Sequence, residues 1–225
     1  FYGNASALRG YLAPSDYVID DIAKESGRTI FADKNKNIDA RIYENCNILT
    51  KSINKYTSQQ VLIQGAGSSS SPTSISYSGI YADGNNGANW VIYRLTDIML
   101  LKAEALAQTM REGSDNETVA YNAPILAQAF SLINAVNKRA ICQTNLQDTL
   151  VATDYNTKSQ MEELVLQERQ RELMFEGKRW YDLVRRSQRD GNRRTLVSAA
   201  LRKVTTGSSL IQNKLTKMDA IYWPY

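Results

Sequence analysis

Between Met161 and Arg179 the positions 161, 164, 165, 168, 172, 175 and 179 follow one another at helical spacing, and two glutamates stand in the middle of this otherwise largely apolar stripe. Counted at about 100° per residue, Met161, Leu164, Val165, Phe175 and Arg179 share one side of a helix, with Glu168 and Glu172 between them. Those carboxylates are aimed at neighbouring helices rather than at water. A buried carboxylate persists only if it is paired or protonated, and Arg is its natural partner, because the planar fork bonds two oxygens and keeps its charge. The chain offers Arg94, Arg139, Arg169, Arg171 and Arg179 for the purpose. The expectation is a network of ion pairs between helices, which adds little net stability but fixes which helix faces which. General acid/base work by the same pair is disfavoured. Glycoside hydrolysis sets its carboxyls across a substrate-sized gap, whereas residues four apart on one helix face sit close together and point the same way.

The surrounding helices are legible upstream. In "RLTDIMLLKAEALAQ", Leu95, Ile98, Met99 and Leu106 fall on one side of a helix, and Leu100, Leu101 and Ala107 fill much of the other. A helix apolar nearly all round belongs in the interior, so Glu104, set between Leu100, Leu101 and Ala107, is expected to be buried with a cationic or hydrogen-bonding partner. "NAPILAQAFSLINAVNKRA" predicts a second helix, with Asn122 as its cap, Pro124 in its first turn and Ile125, Ala129, Ile133 and Val136 in line. The two make a helical hairpin. "PSDYVIDDIAKE", with Val18 and Ile22 four apart and Gly27 behind it, predicts a short helix over 14–25.

Gly177 interrupts the Glu-rich helix, after which Trp180, Leu183 and Val184 form a short apolar face with Trp180 as a core anchor. "RRSQRDGNRR" then places five Arg in ten residues around a Gly. It reads as a solvated turn after a helix, with binding of a phosphate or an acidic partner as the alternative.

Residues 28–63 lack a clean period and predict loop, with room for a strand pair. From Gln64 to Trp90, Gly, Ser and Asn dominate, the composition of a long exposed loop with Tyr77, Tyr81 and Trp90 set into it.

Composition removes several functions. The chain has 225 residues, 43% hydrophobic and 22% charged, enough for one domain over 1–225 with a real core. No run approaches the roughly 18 uninterrupted apolar residues of a membrane helix, and the first residues lack the build of a secretory signal. There is no His, which closes mechanisms built on an imidazole base or a His metal ligand. Cys46 and Cys142 are too few for a zinc site and read as two buried thiols, with a disulfide between them as the alternative in an oxidising compartment, and neither metal nor cofactor is expected. A net charge of +4 is too small to make a nucleic-acid partner the expectation.

Three segments carry a resemblance. "WVIYRLTDIMLLKAEAL" (90–106), "INAVNKRA" (133–140) and "LQERQRELMFEGKRWYDLVR" (166–185) are similar, in this order and spacing, to the signature segments of the SusD/RagB family. In the first, Arg94, Asp97 and Ala103 to Ala105 match and Leu95 and Thr96 depart. In the third, Glu168, Arg169, Phe175, Glu176, Gly177, Arg179, Trp180, Asp182, Leu183 and Arg185 match. Asp39 to Arg41 resembles the Asp-x-Arg that closes the family's middle region.

The resemblance implies a mainly α fold: an irregular helical bundle of SusD-like, tetratricopeptide-related α/α type, with long loops and little β. Family members are about twice as long, so this chain is expected to be the C-terminal half of one. It further implies binding without catalysis. Members are surface lipoproteins of the outer membrane that cap a SusC-type TonB-dependent transporter and capture glycans or peptides, touching the membrane only through a lipid anchor. Sugar capture needs flat aromatic faces with amide and hydroxyl partners. On that ground Tyr77, Tyr81, Asn85, Asn86 and Asn89 are the expected ligand-binding residues. Two rivals stand beside this reading. A cytosolic helical-repeat adaptor would explain the hairpins, although no sustained 34-residue period is present. A glycoside-processing enzyme would explain carboxylates and aromatics, yet requires two carboxyls facing each other across a cleft.

Overall fold

A computed structural model describes residue 18 and residues 39–47, 52–55, 60–64, 74–78, 91–140, 150–202 and 207–217. Its contacts divide into two compact units, Phe1–Glu176 and Gly177–Tyr225. Both are built of helices, and the fold is mainly α, as the periodicity predicts.

The first unit is organised around α2 (Leu95–Thr109), α3 (Asn116–Ala140) and α4 (Lys158–Glu172). α2 packs against both of the others. Leu100, Ala103 and Ala107 of α2 meet Ala129, Ile133 and Val136 of α3 and Met161, Leu164 and Val165 of α4 in one buried cluster. The two alanines matter because side chains of that size let helix axes approach closely.

α2 is buried on one face only, whereas its apolar residues nearly all round predict a helix wholly in the interior. Thr96, Asp97, Leu100, Ala103 and Ala107 are buried, whereas Leu95 is 75% exposed and Ile98 53%. With apolar residues on nearly every side, hydropathy could not select a face. The choice follows from the partner: Arg169 of α4 donates to the Asp97 carboxylate at 3.0 Å, which makes the Asp97 face the inner one. Glu104 is half-buried, with its carboxylate 3.9 Å from Arg169 Nε.

α3 likewise begins six residues before the predicted cap. Asp115 caps it, its Oδ1 accepting from the Thr118 amide at 2.9 Å. Asn122 is instead a buried residue within the helix, where its side chain accepts from the Arg111 N–H and donates to the Arg111 carbonyl, both at 2.9 Å. Pro124 therefore lies inside the helix rather than in its first turn. α3 is long and apolar enough to cross a membrane by length and composition, with a window of mean hydropathy 1.3. One such helix is weak evidence of a span, and α3 contributes Ala129, Ile133 and Val136 to the core.

α4 starts with a capping box. The Gln160 amide donates to Thr157 Oγ1 at 3.3 Å while the Thr157 amide donates to Gln160 Oε1 at 3.1 Å. It stops at Glu172, and a turn over residues 173–177 follows, with Phe175 (φ 63°) and Gly177 (φ 72°) in the left-handed region. Phe175 and Arg179 thus fall beyond the helix and do not share its stripe.

Upstream lie a short helix α1 (Arg41–Asn45) and two antiparallel strand pairs, β1 (Cys46–Asn47) with β2 (Ser52–Ile53) and β3 (Gln60–Gln64) with β4 (Ser74–Ser78). The predicted strand pair is therefore present, and the predicted long loop contains β4. "SISYS" alternates with the period of a strand, a signal outweighed by its Gly- and Ser-rich surroundings. The Ala40 amide donates to the Ala140 carbonyl at 2.8 Å, which moors α1 to the end of α3. Of the helix predicted over 14–25, only Val18 is described, and it is helical and buried.

The second unit holds α5 (Arg179–Asp190), α6 (Arg194–Leu201) and α7 (Ser208–Leu215), each packed on the next. Leu183 and Leu196 form its core, and Trp180 and Val184 pack against them as the apolar face predicts. Gly191 ends α5 at φ 62°, a conformation that costs a residue with a side chain but not glycine. The Arg-rich turn is only partly solvated, since Arg193 is buried.

Candidate functional site

Four carboxylates and five cationic side chains come together where α4 ends. Glu168 is completely buried. Its Oε1 accepts from Arg41 Nη1 at 2.8 Å, and its Oε2 from Arg171 at 2.7 and 3.0 Å and from Asn137 at 3.4 Å. One turn later, Glu172 Oε2 accepts from Arg41 Nη1 at 3.1 Å, and its Oε1 from Arg94 and Arg139, each at 2.5 Å. The turn after α4 returns Glu176 to the same place, where Arg94 Nε bonds both its oxygens at 3.0 and 3.1 Å and Lys55 donates at 2.6 Å. Arg94 also donates to the Glu172 carbonyl and to Thr96 Oγ1. Asp39 takes the remaining edge of Arg41, at 2.6 Å from Nη2 and 2.9 Å from Nε.

Three of the five arginines expected to partner Glu168 and Glu172 do so: Arg94, Arg139 and Arg171. Arg169 serves Asp97 and lies near Glu104, and Arg179 opens α5 in the second unit. The central partner, Arg41, was outside that set. Its only sequence signal was the Asp-x-Arg of residues 39–41.

The electrostatics follow from this geometry. Burial alone would raise the pKa of Glu168, but the charges of Arg171 and Arg41 outweigh it and hold the carboxyl below its usual range. For Glu172, burial is again the largest influence and again loses, here to hydrogen bonding and charge from Arg94 and to Arg41, leaving the carboxyl at about 2. Both are ionised at neutral pH and cannot donate a proton, and each of their oxygens is already bonded. A general acid or base needs a pKa near the working pH and a free edge towards substrate. The cluster is therefore suited to holding α1, α2, α3 and α4 in register. Cys46 is fully buried, and burial pushes its thiol up to about 12, which keeps it from acting as a nucleophile.

Of the expected ligand-binding residues, Tyr77 lies on β4 opposite Val61 of β3. Tyr81, Asn85, Asn86 and Asn89 fall outside the described residues, as does Cys142.

Comparison with known proteins adds sequence evidence. The model of the SusD family matches residues 16–224. SusD-like protein P38 of Formosa agariphila is 35% identical over 98 residues, which are 43% of this chain and 17% of that protein. SusD-like protein P2 of the same organism is 30% identical over 106 residues, 45% of this chain and 18% of that protein. The aligned part is thus a small fraction of either relative. No solved structure matches the chain.

Proposed function

The chain belongs to the SusD family, and from that premise we propose that it is part of a non-catalytic protein of the outer-membrane surface that binds a nutrient, a glycan in the first instance. It would be held there by a lipid anchor and would deliver its ligand to a SusC-type TonB-dependent transporter. The observation that carries the non-catalytic part is the saturation of Glu168 and Glu172 by guanidinium groups in the interior. A glycosidase must leave one carboxyl protonated and another open to the anomeric carbon. Here both are ionised and enclosed.

Ligand capture then falls to residues that the network leaves alone. Tyr77 and Tyr81 would supply flat faces for the C–H surfaces of a sugar ring, and Asn85, Asn86 and Asn89 the amides for its hydroxyls. Calorimetric titration of the full-length protein with a panel of glycans, run beside a hydrolysis assay, tests the reading. Saturable binding without turnover is expected. Turnover that disappears in Glu168→Gln would overturn it.

A further inference from the structure

Lys55 and Arg94 stand at the two ends of residues 56–93, the stretch that holds β3, β4 and all five expected ligand-binding residues. Within that stretch Asp83 is the one charged residue. An ionic network can therefore take hold of it chiefly at its ends, and both ends go to the same carboxylate. Lys55 Nζ donates to Glu176 Oε1 at 2.6 Å and Arg94 Nη2 to the same oxygen at 2.9 Å, while Arg94 Nε bonds Oε1 and Oε2 at 3.0 and 3.1 Å. Glu176 is buried. Lys55 is fixed further by the Met174 carbonyl, which accepts from Nζ at 2.8 Å, and by its own amide, which donates to the Asn45 carbonyl at 3.3 Å. Two cations brought this close repel unless an anion stands between them. Burial pushes the Lys55 ammonium below its usual pKa, Glu176 opposes that shift, and the charge of Arg94 adds to it. Glu176 is thus what lets the two ends meet.

Joining the ends of a 38-residue stretch removes chain entropy that would otherwise be lost when a ligand orders it. We infer that Glu176 is a positioning residue for ligand capture: it holds Lys55 and Arg94 together at the base of residues 56–93, and so sets the β3–β4 hairpin, with Tyr77, in the place where a sugar meets it. The hairpin fits this role. β3 starts five residues after Lys55 and lies against α1, which Arg41 ties to the same network. The inference rests on the glycan-binding reading above and concerns how that site is held rather than what it takes.

The test is calorimetric titration of the full-length protein with cellohexaose, or with whichever neutral hexasaccharide of the glycan panel the native protein binds most tightly. It is run on the native protein, Glu176→Gln, Glu176→Asp, Lys55→Met and Leu100→Ala, each below its own melting temperature. Gln keeps the size of the side chain and removes its charge, which leaves the two cations to repel. Glu176→Gln is expected to weaken binding by about tenfold or more, and Glu176→Asp, which keeps the charge, to lose less. Lys55→Met, a milder change that leaves the Arg94–Glu176 pair in place, is expected to lose part of the affinity. Leu100→Ala destabilises the same unit from its apolar core without touching Lys55 or Arg94, and is expected to bind within about threefold of the native protein. Native affinity in either Glu176→Gln or Lys55→Met, or a loss in Leu100→Ala as large as that in Glu176→Gln, overturns the positioning role and leaves glycan binding standing. Failure of the native protein to bind any glycan of the panel overturns both.

Discussion

Arg41 Nη1 donates to Glu168 Oε1 at 2.8 Å across 127 residues of chain, and from the same nitrogen reaches Glu172 Oε2 at 3.1 Å. One guanidinium therefore holds two carboxylates a helical turn apart on α4, while its other edge holds Asp39. Removing it strands negative charge in the interior, which costs far more than the intact pair contributes. Arg41→Met is expected to destabilise the first unit by about 3 kcal/mol or more, read from the urea midpoint at constant m. Adding Glu168→Met should recover part of the loss, since the two changes share one interaction. Simple additivity would contradict the coupling.

Acid should expose the same network. The Glu172 carboxyl is held at about 2 against its ordinary 4.5, so it contributes stability above the unfolded value that is lost as pH falls from about 4.5 towards 2. The melting temperature is expected to hold steady at neutral pH and to decline through that window. In Glu172→Gln the decline should be shallower, from a lower starting point. Parallel curves for the two proteins would assign the acid sensitivity to other carboxyls.

The orientation of α2 can be checked by two substitutions on opposite faces. Leu100 is fully buried and Leu95 is 75% exposed. Leu100→Ala is expected to cost about 3 kcal/mol, as core truncations do, and Leu95→Ser to stay within about 0.5 kcal/mol in the 225-residue chain. The reverse ranking would contradict this orientation of α2.

Ligand binding makes a separate prediction. If Tyr77 and Tyr81 stack on sugar, Tyr77→Ala/Tyr81→Ala should weaken a bound glycan by about tenfold or more, roughly 1.4 kcal/mol, in the full-length protein. Isothermal titration measures this directly. Unchanged affinity would move the ligand away from this segment.

Much of the architecture could be read locally. The 3.6-residue period placed α2, most of α3, α4 and α5, because helix formation and one-sided burial leave that period in the chain. Where the reading slipped, a local signal met a stronger contact from elsewhere. Asn122 before Pro124 imitates a cap, yet its amide fits the Arg111 backbone so well that it is buried inside a helix begun by Asp115. The strand in "SISYS" was masked by the glycines and serines around it, whose turn preference is an average over many contexts. The burial of Arg193 in the second unit had only a cluster of arginines as its trace. A charge run does not reveal which of its members is buried.

The chain alone determined that Glu168 and Glu172 face inward and that arginines must meet them, because helical period and the cost of an unpaired buried charge are properties of the sequence itself. Only the tertiary structure decided that Arg41, from far upstream, would be the central partner, and that α2 would bury Asp97 and leave Leu95 in water. The difference is physical. A carboxylate states what it needs, but every arginine satisfies that need equally until the backbone brings one of them within 3 Å.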